Sequence, residues 1–305
     1  MSHESLDVLI IGGGPAGLNA ALMLGRARKR VLVCDAGPPR NAAATHIHGI
    51  LSRDGVAPHE LRRLARQELT AYPGVRFADL RVDELEVRGP GEFVATLADG
   101  RTITAARVLL CLGVIDELPP LPGLAEHWGT SVHLCPYCHG WELQDRRTGV
   151  LCGGPDMLEF SLLLRGWTRD VVAFTDHRLA VEPATRARLE RAGVTIEERP
   201  LARLLGAHTL VAAELGDGAQ IPIAALYMRP PQRQTPLVTR LGLALDELGY
   251  VRLDEHRQTS IPGIYAAGDL TTPMQAAIMS AAQGAFTAAM LNHGLTAEQA
   301  LAGQL

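Results

Sequence analysis

Cys135–Pro136–Tyr137–Cys138–His139 sets two thiols three residues apart, with an imidazole directly after the second. Thiols at that spacing can close a redox disulfide, supply half of a metal site or, as CxxCH, carry an attached haem. A zinc site needs a second pair, and Cys34, Cys111 and Cys152 are isolated singletons, so no metal is expected. Haem attachment needs export, and Met1 to Ile10 lack the basic start and long apolar core of a signal peptide.

A second constellation, Gly12-x-Gly14-x-x-Gly17, follows the apolar run Leu6–Ile11 and opens the Ala/Leu-rich segment Leu18–Arg28. Asp35 closes the next apolar run, Val31–Cys34. Glycine there allows a tight turn and lets a pyrophosphate reach backbone N–H groups at a helix N-terminus, while the acid can accept from a ribose hydroxyl. A glycine triad alone is as well explained by a structural turn. Strand, helix and acid in register point instead to an adenine dinucleotide, hence to FAD rather than FMN. The tetrapeptide CPYC is also that of glutaredoxins, but those are short chains with the motif near the start. A dinucleotide domain and a two-electron dithiol are chemically matched, which favours a redox pair working beside a flavin.

The elements that must position these residues form a βαβ start over the first 35 residues. After the polar loop Pro38–Gly55, the pattern predicts a helix from about His59 to Ala71. Short strands follow at Glu84–Arg88, Phe93–Leu97 and Thr102–Thr104, with Asp99–Gly100 as a hairpin turn, and then a buried strand from Arg107 to Leu112. The Pro-rich joint Leu118–Gly123 marks a domain boundary. Beyond it the pattern restarts, with strand Thr148–Cys152, turn Gly153–Pro155, helix Asp156–Trp167 and strand Val171–Phe174. A second Pro-rich stretch, Arg229–Gln232, marks the return to the first domain. Ile261–Asp269 then reads as a short strand ending in Gly268–Asp269, where a helix-capping aspartate is the plainer alternative.

The chain has 305 residues, 47% hydrophobic and 20% charged, which suits a soluble protein of about two domains. A net charge of -4 offers no basic footprint for nucleic acid. No charged residue lies between Asp269 and His293, but the stretch is rich in Ala, Thr, Gln and Ser, so a buried helix is expected rather than a membrane span. A cytoplasmic location is expected.

Taken in order, the glycine turn, Cys111–Leu112–Gly113, the mid-chain CxxC and Ala266–Ala267–Gly268–Asp269 resemble the low-molecular-weight thioredoxin reductase family of flavoproteins over nearly the whole chain. The resemblance implies an α/β chain with two Rossmann-like dinucleotide-binding domains. The FAD domain takes residues 1–117 and 246–305, and a pyridine-nucleotide-type domain carrying the CxxC is inserted at 118–245. It also implies that Gly12, Gly14, Ala16, Gly17 and Asp35 hold the ADP part of FAD. Gly113 belongs to the same site, His48 sits near the flavin ring, Gly268 and Asp269 near the ribityl and pyrophosphate, and Gln275 and Ala276 beside the isoalloxazine. Cys138 is then the thiolate that faces the flavin, and Cys135 is the interchange thiol that forms a mixed disulfide with an outside partner. The family's usual acid after the second cysteine is aspartate. Here it is His139, and histidine titrates near neutrality and can take a thiol proton, with a packing role as the alternative.

The inserted domain departs from the family pattern. Its expected Gly-x-Gly-x-x-Ala falls on Cys152, Gly153, Gly154, Pro155, Asp156 and Met157, and the basic cluster for a 2′-phosphate is replaced by Thr175–Asp176–His177. An acid at Asp176 suits the 2′-hydroxyl of NADH, but the lost glycine argues against any dinucleotide. The expected activity is thiol–disulfide exchange with FAD and without NADPH, on a thioredoxin-like protein or a small-molecule dithiol, in a homodimer. Two branches of the family share these features: dithiol oxidases that make the disulfides of gliotoxin- and holomycin-type metabolites with oxygen as acceptor, and NADPH-independent reductase-like proteins. A conventional NAD(P)H-dependent reductase and a non-catalytic flavin-binding sensor are the remaining alternatives.

Overall fold

The computed structural model describes residues 6–303, and these fall into two compact units. One unit takes the chain through Arg40, Ile50–Ile115 and Gln232 onward; the other takes Asn41–Gly49 and Asp116–Pro231. The return therefore comes at the second Pro-rich stretch, not at 246. The physical reason is burial: Leu237, Val238 and Leu243 pack into the core of the first unit with Leu9, Val108 and Leu110. The short segment 41–49 joins the second unit, where Ala43 lies so close to Gly129 that a Cβ there would stand 2.8 Å from it.

The first unit is built on a sheet whose strand Leu6–Ile11 lies parallel between Val31–Cys34 and Thr102–Leu110. Val75–Ala78 extends it beyond Val31–Cys34, and Ile264–Ala266 pairs in parallel with Thr102–Leu110. These strands are apolar on nearly every residue because helices or further chain cover both faces of a parallel sheet. Their register aligns Ile11 with Cys34 and with Leu110, and Leu110 with Ala266. Four strand ends, and hence the segments Gly12–Gly14, Asp35, Cys111–Gly113 and Ala267–Asp269, emerge along one edge, where open α/β sheets bind ligands.

Two expected strands, Thr102–Thr104 and Arg107–Leu112, are one continuous strand. Its first half pairs antiparallel with Glu92–Leu97, its second half in parallel with Leu6–Ile11. Arg107 interrupts the apolar pattern yet is buried, its guanidinium paired with Glu298. The first helix runs Pro15–Arg26, with Pro15 at its start, and buries Ala16, Leu18, Ala20, Ala21 and Leu24. The uncharged C-terminal stretch gives the helix Ala277–Leu301, packed so closely on the first helix that a Cβ at Gly284 would lie 2.0 Å from the Ala16 carbonyl oxygen. No described helix is long and apolar enough to cross a membrane.

The second unit repeats the plan. Its parallel sheet runs Val194–Glu197, Val171–Phe174, Thr148–Leu151, Ala225–Tyr227, Val132–His133. Helix Pro155–Leu164 follows Thr148–Leu151, and an antiparallel set of Leu201–Leu205, Ala212–Leu215 and Gln220–Pro222 flanks the sheet.

Candidate functional site

In the first unit each glycine of the turn has its own steric task. Gly12 has φ +113°, and a Cβ on it would stand 2.2 Å from the Cys111 carbonyl oxygen. A Cβ on Gly17 would stand 1.9 Å from the Gly12 carbonyl oxygen, so the helix could not seat on the strand. Gly14, the residue capping the helix, has open space on its Cβ side, which leaves its backbone reachable by a ligand. Gly17→Ala should therefore cost about 1–3 kcal/mol of stability through overpacking. It should also lose nearly all bound dinucleotide, measured by heat release and chromatography; full retention would refute the assigned turn.

Asp35, 9% exposed, receives the guanidinium of Arg62 on Oδ2, while Arg62 Nε donates to the Gly13 carbonyl at 3.2 Å. Arg62 was not visible as a site residue in the sequence, because a helix separated from Asp35 by a long loop carries it. Asp269 does not cap a helix with its side chain. Its carboxylate accepts from Arg40 at 2.9 Å and from the Ser280 hydroxyl at 2.9 Å. Gln275 is held from several sides: its Oε1 accepts from Arg40 at 2.7 Å, and its amide nitrogen donates to the Thr272 carbonyl at 3.0 Å. Ala276 precedes the C-terminal helix in extended backbone, and Ala16 is buried in the first turn of its own helix. Gly113 and Gly268 both have positive φ, and Gly113 has open space beside it. Aligned strand ends, an open glycine turn at a helix N-terminus and a buried acid fit FAD.

The dithiol lies in the second unit. Cys135 is the extended residue before the one-turn helix Pro136–His139, so N–H groups at the helix start face its sulfur. The Cys135 thiol is lowered to about 7, chiefly by a hydrogen bond from Cys138, helped by the N–H groups of Cys138 and Tyr137 and by Arg229, against the opposing effect of burial. The same bond, and burial, push Cys138 up. Burial raises the other thiols, Cys34 to about 11, Cys152 to about 12 and Cys111 further. Only Cys135 is poised as a thiolate near neutrality. Gly140 ends the motif because a Cβ there would strike the Pro136 carbonyl at 2.5 Å and the Trp167 indole at 2.8 Å.

His139 stacks on His133 with ring centroids 4.2 Å apart, and its ring meets His48 edge-on at 6.3 Å. Burial first, then His48 and His46, hold His139 below its usual value, with Glu142 opposing. His48, expected near the flavin ring, clusters with this unit, its Nε2 3.4 Å from Glu142 Oε1. Tyr137 and Trp141 are exposed beside the thiols. Among the described residues, no set of three His, Cys, Asp or Glu side chains is placed to hold a metal.

The second unit's glycine turn differs from the first. None of residues 152–154 has positive φ, and Gly154 is extended at φ -166°. Cys152 and Met157 are buried in the core with Phe160 and Tyr227. Asp156, in the first turn of the helix, lies 3.6 Å from Arg229, and a cavity of about 220 Å³ there is walled mainly by Pro155, Leu158, Leu179 and Ala180, with Asp156, Glu159 and Glu182 at its edge and Glu159 paired with Arg188. Asp176 has a structural role: it accepts from the Leu201 N–H at 2.7 Å and pairs with Arg178 at 2.9 Å.

The family profile described as pyridine nucleotide-disulphide oxidoreductase matches residues 6–286. The thioredoxin reductase aclD of Aspergillus oryzae is 32% identical, the alignment covering 94% of this chain and 96% of that protein. The crystal structure of HlmI superposes with a TM-score of 0.93 at 36% identity over 99% of this chain and 96% of that one. An oxidoreductase from Agrobacterium tumefaciens superposes at 0.90 with 37% identity, covering 96% of this chain and 99% of that one. With its two glycine turns, its dithiol and these likenesses, the chain belongs to the pyridine nucleotide-disulphide oxidoreductases, as a thioredoxin reductase-like, FAD-binding enzyme.

Proposed function

We propose that the enzyme passes electrons between FAD and an outside thiol or disulfide through Cys135 and Cys138, without NADPH. One observation carries this reading: the two glycine turns of the chain are built differently. The first holds Gly12 at φ +113° and packs its helix on Gly17, whereas the second has no positive φ over residues 152–154, buries Cys152 and Met157 in those places and puts Asp156 in the first turn of its helix. Electrons then have the dithiol as their way in.

The residues perform the exchange as follows. An incoming thiol loses its proton to His139, and its sulfur attacks Cys135 Sγ of the Cys135–Cys138 disulfide. The new S–S bond forms as the old one breaks, and the electron pair goes to Cys138 Sγ. A second substrate thiol attacks the substrate sulfur of the mixed disulfide and releases Cys135 as a thiolate, which its lowered pKa favours. The substrate leaves as a disulfide, and the dithiol holds two electrons. FAD, when bound, supplies the two-electron acceptor for the dithiol.

A second reading follows from the same closed turn. If electrons enter only from substrate dithiol, oxygen can serve as the final acceptor, with one disulfide and one hydrogen peroxide formed per turnover. The pH dependence of alkylation tests the thiol assignment. In the reduced holoenzyme, Cys135 should react with iodoacetamide with a midpoint near its lowered value of about 7, below that of an ordinary thiol. Modification that rises only above about pH 8.5, or that falls first on Cys138, would contradict it.

A further inference from the structure

Behind the dithiol, three buried polar atoms have no hydrogen-bond partner: His139 Nε2, His133 Nδ1 and the Tyr227 hydroxyl. The fold brings their residues together. Val132–His133 and Ala225–Tyr227 are adjacent parallel strands whose register pairs His133 with Tyr227. The His133 ring lies flat on His139, with 15° between the planes, and 5.7 Å from the Tyr227 ring. Tyr227 is 1% exposed and His133 5%.

Unpaired buried polar groups are rare, so each requires an explanation. The neutral His133 ring has one accepting nitrogen, and we assign it to Nδ1, the one without a partner, with the ring proton on Nε2. Tyr227 has a hydroxyl proton to give. Rings stacked face to face cannot hydrogen-bond to each other, so His133 does not satisfy His139. A buried water takes about two to four polar partners, and these atoms supply them.

Burial, then Cys135, Cys138 and Glu142, raise Tyr227, so its hydroxyl keeps a proton to donate; burial, then His48 and His46, lower His139, with Glu142 opposing. Burial and His139 push His133 down to about 3, so it stays neutral and orients without accepting.

We propose that His133 and Tyr227 are positioning residues that, with one bound water, form a proton relay carrying the thiol proton from His139 to Cys138. The inference rests on His139 as the base of the exchange. The balance closes: the thiol S–H bond breaks, its sulfur bonds to Cys135, the disulfide's electron pair goes to Cys138, and the relayed proton arrives on that same sulfur. The water gives a proton to Tyr227 as Tyr227 gives its own to Cys138, and His133 Nδ1 holds the water in place.

The test uses the holoenzyme and anaerobic flavin bleaching by dithiothreitol, compared in wild type, His139→Ala, Tyr227→Phe, His133→Phe and the double variant Tyr227→Phe/His133→Phe. Each single relay variant should slow bleaching about tenfold while retaining flavin, and Tyr227→Phe should melt close to wild type, since the buried ring and its packing are kept. The double variant should be no slower than the worse single one, because both act through one water. Losses that multiply to about a hundredfold, or wild-type rates in Tyr227→Phe, would overturn the relay. A wild-type rate in His139→Ala would remove the base itself, a different failure from a slow His139→Ala beside unaffected relay variants. Should His133→Phe fail to fold, Tyr227→Phe decides by rate and melting temperature.

Discussion

NADPH added anaerobically should leave the flavin oxidised on the catalytic timescale, while a dithiol such as dithiothreitol bleaches it and air restores the colour with hydrogen peroxide. The size of the NADPH effect follows from what the second turn lacks. A dinucleotide pyrophosphate is normally held by charge-assisted hydrogen bonds from backbone N–H groups, worth about 1.5–3 kcal/mol each. Losing two such bonds weakens binding by about 10²- to 10⁴-fold, at about 1.4 kcal/mol per tenfold. Here Asp156 stands in the first turn of the helix, 3.6 Å from Arg229, so an anionic phosphate at the helix start meets a carboxylate. NADH should fare no better, because its pyrophosphate would meet the same turn, with Cys152 and Met157 in place of glycine. Rapid bleaching by NADPH would make this a conventional reductase and reverse the reading of Cys152 and Met157. Bleaching by dithiol with negligible reoxidation in air would point to a redox-protein partner in place of oxygen.

What the sequence made legible was local. Gly12, Gly14 and Gly17 could be read because their constraint is steric and lies within a few residues, and the positive φ of Gly12 bears that constraint directly. Cys135 and Cys138 could be read because the chemistry needs only their spacing. Long-range partners could not be read in this way. Arg62 reaches Asp35, and Arg40 reaches Asp269 and Gln275, through contacts that only the folded chain creates. Asp176 illustrates the converse error: an acid at a strand end suggests a ribose, yet tertiary structure turns it onto a neighbouring strand. His133 and Tyr227 carried no signal, since an isolated aromatic in a short apolar run reads as core, and their register with each other appears only in the sheet. Arg107 split one strand into two in the sequence pattern because its partner, Glu298, is nearly two hundred residues away.

Replacing either redox cysteine should abolish dithiol turnover and leave flavin bound, but only Cys135→Ser should develop a long-wavelength thiolate-to-flavin absorbance. Retention of flavin follows because the cradle is built from the first unit's strand ends, and neither cysteine belongs to that unit. Loss of turnover follows because a serine oxygen can neither form nor break the exchanged S–S bond; residual activity should be below about a thousandth of wild type, about 4 kcal/mol in barrier. The contrast between the two variants rests on Cys138 being the sulfur that faces the flavin, the role the family resemblance implies, and the hydrogen bond between the thiols sets when each one ionises. In the intact pair Cys138 donates to Cys135, which lowers Cys135 and pushes Cys138 up. With Cys135 gone as a thiolate, the largest cause holding Cys138 up is removed, and Cys138 can ionise as pH rises. The absorbance in Cys135→Ser should therefore grow with pH and vanish on acidification, since only the thiolate donates charge. In Cys138→Ser the hydrogen bond from the Cys138 thiol, the largest cause lowering Cys135, is lost, but the N–H group of Tyr137 and Arg229 remain, so Cys135 ionises as pH rises yet gives no such band. Titrating both variants from about pH 6 to 10 while recording the visible spectrum separates ionisation from contact with flavin. A band confined to Cys138→Ser would exchange the roles of the two sulfurs, and equal bands in both would mean that either thiolate can reach the flavin.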